Sequence, residues 1–98
     1  MNAPTAEQIL NHLSDLVRNF DGREFSGPIG RQTLFFGDLG MASIDAIVLA
    51  ETIERDYGRK FPFNEFLAAL GRQGARDVAL GELVDFLHQH LHVQADTN

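Results

Sequence analysis

The chain has no cysteine among its 98 residues. Disulfides, thiolate metal sites and a cysteine nucleophile are therefore excluded, and a small core must hold by packing alone. Any thiol used in its chemistry has to come from outside the polypeptide. Basic residues are scarce as well: 8 Lys and Arg stand against 14 Asp and Glu, a net charge of -6. Nonspecific nucleic-acid binding needs concentrated Lys and Arg, so no nucleic-acid partner is expected, and basic protein surfaces are the natural ones. Long apolar runs are missing. The central one, Ala46 to Ala50, falls far short of the roughly 20 residues of a membrane span. The first residues, Met1-Asn2-Ala3-Pro4-Thr5, lack the basic start and apolar stretch of a secretory signal. A cytoplasmic location without membrane attachment is the expectation. Runs of alternating β-branched residues bounded by turns are also absent, which argues against a sheet.

What is present fits a single globular domain: 44% hydrophobic and 22% charged residues lie in the ordinary range for a folded protein. The helical signals are local. Thr5 can cap a first helix with Gln8 three residues on, as in a capping box. Ile9, Leu13, Leu16, Val17 and Phe20 then recur on one face until Asp21-Gly22 ends the pattern. From Asp21 to Ala42 the glycines and Pro28 are too dense for a long helix, so this stretch is a long loop, with Leu34, Phe35, Phe36, Leu39 and Met41 as its expected anchors.

A second helix is expected from about Ser43 to Tyr57, closed by Gly58. Phe61-Pro62-Phe63 forbids its continuation. Asn64 is placed as the cap of a short third helix, Glu65 to Leu70, closed by Gly71. A polar connector from Arg72 to Arg76 leads to a last helix starting near Asp77 to Leu80. Gly81 weakens that start by about 1 kcal/mol, and Leu80, Leu83, Val84, Leu87 and Leu91 form its apolar stripe. The pattern predicts an all-α four-helix bundle with three longer helices, one short helix and a long first loop. Residues 1–4 are expected as an N-terminal tail, 5–92 as the domain and 93–98 as a flexible C-terminal tail.

The second helix carries more apolar surface than one stripe requires. At about 100° per residue, Ala46, Leu49, Ala50, Ile53 and Tyr57 share one arc, while Ile44, Ile47 and Val48 lie on another with Glu51 and Arg55. Two readings follow: a central helix buried on both sides, or a second patch that meets a partner. The interleaved Glu51 and Glu54 favour the partner, because unpaired carboxylates are expensive to bury. Ser43, at the patch edge, reads in isolation as an N-cap serine.

The stretch Asp38-Leu39-Gly40-Met41-Ala42-Ser43-Ile44-Asp45 resembles the prosthetic-group site of the acyl carrier protein family. Ile53-Glu54-Arg55-Asp56-Tyr57-Gly58 with Phe61-Pro62, and Leu80-Gly81-Glu82-Leu83-Val84-Asp85-Phe86-Leu87, are similar to later segments of such carriers, in the same order. The resemblance covers roughly Thr5 to Leu91. It implies that Ser43 holds a covalent 4′-phosphopantetheine arm, moved from coenzyme A by a phosphopantetheinyl transferase and ending in the thiol that the chain lacks. It further implies an acyl-loading ligase or acyltransferase and synthase or tailoring enzymes as partners, in fatty-acid-like, polyketide or other specialised biosynthesis. Ile44, Asp45, Ile47, Glu51 and Glu54 match the partner-facing positions. The chain would be a monomeric, non-catalytic carrier.

The arm's phosphodiester would sit beside a helix N-terminus, where free backbone N–H groups and the dipole favour an anion. Ala42 stands where the family usually has Asp, a residue associated with recognition and metal binding during modification. Val48 stands where many carriers have another acid. The acyl type is favoured over the aminoacyl or peptidyl type by Asp38-Leu39-Gly40 and the acidic second helix, because peptidyl carriers more often show a Gly-Gly pair before the site. A carrier-like interaction module that is never modified is the alternative. His88 and His92 have chelating i, i+4 spacing, but no acid or cysteine completes a set, so no metal is expected. Nothing in the spacing supports a Ser-His-Asp triad. Arg23, Arg31, Arg59, Arg72 and Arg76 read as solvated loop positions.

Overall fold

A computed structural model describes residues 3–22 and 24–96. Among them lie four α-helices, α1 (Ala6–Arg18), α2 (Ser43–Tyr57), α3 (Phe63–Arg72) and α4 (Leu80–Asp96), and a 3-10 turn at Phe20–Gly22. The chain is the expected all-α bundle, with one isolated bridge, Leu34 to Ala79, as the only β pairing among the described residues. Met1, Asn2, Thr97 and Asn98, from the expected tails, lie outside the described residues, as does Arg23.

Local chemistry explains most boundaries. Thr5 Oγ1 accepts from the Gln8 amide at 3.1 Å, and Gln8 Oε1 accepts from the Thr5 amide at 2.9 Å, so two donors orphaned at the start of α1 are satisfied together. Gly58 ends α2 in the left-handed region at φ 68° and donates to Glu54 O. Helix α3 is longer than expected at both ends. Pro62 takes the N-cap position, and its carbonyl accepts from the Phe66 amide at 3.2 Å, so Asn64 lies inside the first turn rather than capping it. Gly71 stays helical, and the chain reverses at Gly74, whose φ is 79°. At the other end of the chain, α4 carries the helical backbone on through residues 93–96.

The core follows the apolar stripes. Ile9, Leu13 and Val17 of α1 meet Leu80, Val84 and Leu87 of α4, with Ile53 of α2 between them, all essentially without solvent contact. Each such side chain contributes about 1.5–3 kcal/mol through burial, well above the tenths that separate most helix propensities. Pro4 O lies 3.3 Å from His92 Nε2, so α1 and α4 run antiparallel. His12 links α1 to the end of α2, with Nδ1 3.1 Å from the Tyr57 hydroxyl and Nε2 3.0 Å from Asp56 Oδ2.

The long loop is tied down at its second half. Phe35, Leu39 and Met41 are buried, Phe36 is half-buried, and Leu34 is 37% exposed. Backbone bonds lace residues 31–35 to residues 78–81: Gly81 N donates to Arg31 O at 2.8 Å, Leu80 N to Thr33 O at 2.9 Å, and Phe35 N to Val78 O at 2.8 Å. Gly81 is therefore more than a weak helix former. A Cβ on it would stand 2.9 Å from Arg31 Cβ and 3.0 Å from Arg31 O, so only glycine admits the loop this close. Arg31 stays exposed as expected, but its guanidinium also pairs with Asp85 at 2.7 Å. Arg59 leaves the solvated set, lying 5.2 Å over the Phe61 ring and donating to His90 O at 3.2 Å.

Asp77 completes the lacing. Its Oδ1 accepts from the amides of Phe36 at 2.9 Å and Val78 at 2.8 Å, and its Oδ2 accepts from Gly37 N at 2.8 Å. Desolvation raises the carboxyl's pKa, but the three amides outweigh it and hold the value below the ordinary one for Asp.

Two outcomes are expected. Gly81→Ala should lower the midpoint of chemical unfolding, because overpacking against Arg31 costs about 1–3 kcal/mol against a helical gain of about 1 kcal/mol; a raised midpoint would contradict the close approach. Because the folded pKa of Asp77 is depressed, its stabilisation is complete above the unfolded carboxylate value of about 3.9 and is lost as pH falls through the folded value. The stability difference between the wild type and Asp77→Asn should therefore shrink towards acid pH in urea titrations, and a constant difference would count against the amide contacts.

Candidate functional site

The turn that delivers Ser43 is built from the backbone. Leu34 O accepts from the amides of Asp38 and Leu39, both at 3.0 Å, and Phe36 O from Gly40 at 3.1 Å. Asp38 Oδ2 returns to accept from Leu34 N at 2.8 Å. Gly40 has φ 69° with open space around the position a Cβ would take, so glycine is needed for conformation and not for room. Leu39 and Met41 on either side are buried and fix the direction in which the chain enters α2.

Ala42, not Ser43, is the N-cap of α2, with extended backbone and no side-chain cap bond. Only the return half of a capping box exists, in which Asp45 Oδ2 accepts from Ala42 N at 2.8 Å. Ser43 is the first helical residue and is exposed. Its side chain makes no hydrogen bond among the described residues, so the capping role that serine usually fills at this end is not what Ser43 does. Ala42 O takes the amides of Asp45 and Ala46, leaving those of Ser43 and Ile44 without an acceptor inside the helix. An anion on the Ser43 oxygen would meet these donors and the positive end of the helix dipole. The residues present thus fit a phosphodiester at this oxygen.

Around Ser43, the two faces of α2 separate. Leu49 and Ile53 are buried, while Ile44, Ile47 and Val48 are 63%, 56% and 43% exposed. The reading of α2 as a helix buried on both sides is overturned, because Ile44, Ile47 and Val48 stay exposed among the described residues. Glu51 is exposed on that same side, and Asp45 is half-buried by its turn towards Ala42. Glu54 is used internally: its Oε2 accepts from Phe61 N at 2.9 Å, and its side chain is only 19% exposed. It anchors the Pro62 turn.

Beside Ser43 opens a cleft of about 470 Å³ between α2 and α3. Ala46, Leu49 and Ile53 form one wall, Phe63, Phe66 and Leu67 the opposite one, and Phe35, Phe36 and Val78 close the third side. Ser43, Glu51 and Asn64 are its only polar lining residues. Sequence reasoning missed this cleft. The signal was there in Phe63, Phe66 and Leu67, whose i, i+3, i+4 spacing makes an apolar face on a helix with no assigned partner.

The histidines do not complete a centre. His88 and His92 rings lie 4.1 Å apart, His90 Nδ1 lies 3.0 Å from Phe86 O, and no group of three or more metal-ligating side chains occurs among the described residues. His12 is held at residues 56 and 57, the far end of α2, about 20 Å along the helix from Ser43 at 1.5 Å per residue. No helix of the described residues is long and apolar enough to cross a membrane.

No curated protein and no solved structure matches the chain. The family model described as the phosphopantetheine attachment site matches residues 21–71, which spans the glycine turn, α2 and most of α3. With an exposed, unbonded serine at the head of a helix inside that match, the chain belongs to the phosphopantetheine-attachment family, the carrier domains that bear covalent 4′-phosphopantetheine.

Proposed function

We propose that the chain is an acyl carrier whose arm is attached at Ser43 and whose cargo, held as a thioester on that arm, rests in the cleft between α2 and α3. The single observation that supports the acyl type is the cleft itself. Its walls are apolar, its volume of about 470 Å³ lies within the roughly 300–1,000 Å³ of small-molecule sites, and Ser43 is on its rim. An apolar acyl chain would lose water on entering, against a lining whose polar residues are Ser43, Glu51 and Asn64. The chain then supplies no catalytic group. Ser43 Oγ provides the oxygen, the free amides of Ser43 and Ile44 hold the phosphodiester, and tethering raises the cargo's effective concentration at each partner.

Partners fall into the three classes that such a cycle needs: a phosphopantetheinyl transferase, an acyl-loading ligase or acyltransferase, and synthase or tailoring enzymes of fatty-acid-like, polyketide or other specialised biosynthesis. Their docking surface is the outer face of α2. Ile44 and Ile47 supply its apolar centre with Val48, and Asp45 and Glu51 supply its charge, Ile47 and Glu51 standing where this face meets the cleft. Glu54, turned back to Phe61, contributes by fixing the end of the helix. Ala42 supports one second reading, an unmodified interaction module on the same scaffold.

Incubation with coenzyme A and a broad-specificity transferase should add the mass of one phosphopantetheinyl group, and Ser43→Ala should add none while unfolding within about 0.5 kcal/mol of the wild type. No gain across several transferases would favour the module. Ile47→Ala should lower the transferase's kcat/KM about tenfold, since an exposed Ile buried at an interface contributes about 1.5–3 kcal/mol. An unchanged kcat/KM would remove the outer face from docking.

A further inference from the structure

Two sides of the cleft are helices, with their backbone groups paired along their own axes. The third side is different. It is made by Phe35 and Phe36 of the loop with Val78 of the connector, so its position depends on what joins two irregular segments. Phe35 N to Val78 O at 2.8 Å and the Leu34 to Ala79 bridge join them along one edge. Beyond that edge the loop turns away, and the amides of Phe36 and Gly37 would face outwards with no carbonyl opposite. Asp77 is the acceptor for both, at 2.9 and 2.8 Å, while its Oδ1 also takes the amide of Val78.

One side chain therefore holds backbone on both segments of this wall. Gly37 is shaped for it: a Cβ there would stand 3.1 Å from Asp77 Oδ2, tighter than an ordinary contact. The chemistry calls for a carboxylate. Three N–H donors converge on two acceptor oxygens, whereas an amide in the same place offers one oxygen and turns an N–H₂ towards a donor. The ring of Phe36 is only half-buried and is steadied by an edge contact with Phe35, centroids 5.0 Å apart. Its hold on the cleft comes from its backbone.

We propose that Asp77 is the clasp of the cleft, a positioning residue whose carboxylate fixes the Phe36–Gly37 backbone and so keeps the Phe36 side of the cleft closed over an apolar acyl cargo. The assignment of the cargo rests on the reading of the cleft as its resting place. The clasp itself does not.

The experiment has two arms. In the unmodified chain at neutral pH, amide hydrogen exchange is followed by NMR in the wild type, Asp77→Asn, Asp77→Ala and the surface control Asp15→Ala. Exchange at Phe36 and Gly37 should accelerate by about tenfold or more in Asp77→Ala, less in Asp77→Asn and not in Asp15→Ala, and by a clearly larger factor than the amides of α1 and α4. Equal exchange at Phe36 and Gly37 in all four proteins overturns the clasp. Loss of protection in α1 and α4 as large as that at Phe36 and Gly37 overturns it too, since Asp77 would then act only through the stability of the fold as a whole. In the second arm, the carriers are loaded with an octanoyl thioester and cleaved with hydroxylamine. Cleavage should be several-fold faster in Asp77→Ala than in the wild type and Asp15→Ala; equal rates with altered exchange overturn the cargo assignment. Failure of the arm to attach, seen by intact mass before loading, overturns the carrier reading and leaves the exchange arm to decide the clasp.

Discussion

The lacing of residues 31–37 to residues 77–81 is the constraint on which the rest of the molecule depends. A loop of this length would ordinarily cost much of the stability of a small domain in conformational entropy. Here its second half is held by backbone bonds to the start of α4, by Arg31 packed onto Gly81 and by Asp77. Because α4 is itself fixed against α1 through the fully buried Leu80, Val84 and Leu87, the loop inherits the rigidity of the core. Everything that the site needs follows from that anchorage, since the loop both aims α2 and closes one side of the cleft.

Ser43 shows what such anchorage allows. A helix N-terminus usually uses its serine as a cap, and the hydroxyl is then occupied. In this chain the entry into α2 is determined upstream, by the left-handed Gly40 and the buried Leu39 and Met41, and Asp45 reaches back to Ala42. The cap position can then be held by an alanine. The serine, one residue further on, keeps its oxygen exposed at the mouth of an apolar cleft, beside two amides with no acceptor among the described residues.

The same economy explains the divided roles of the acids on α2. Glu51 is exposed at the edge of the cleft, while Glu54, one turn further, is drawn inward to the Phe61 amide. Three residues of spacing put both on neighbouring parts of the helix surface, and the spacing cannot distinguish them. What distinguishes them is the chain beyond Gly58, which folds back so that Phe61 packs into the core and its amide needs an acceptor.

The sequence by itself determined the elements and the location of the serine. The Thr5–Gln8 box, the Gly58 cap and the stripes of α1 and α4 are local properties, governed by helix periodicity and by the conformational freedom of glycine, and they are legible wherever they occur. The turn Asp38-Leu39-Gly40 before Ser43 is local in the same sense. Only the tertiary structure decided that Ala42 rather than Ser43 caps α2, that Ile44, Ile47 and Val48 face solvent, that Gly81 admits Arg31, and that Asp77 clasps a wall formed with a segment some 40 residues away. Each of these depends on which backbone or side chain arrives from elsewhere, and periodicity along one helix carries no information about what stands opposite it.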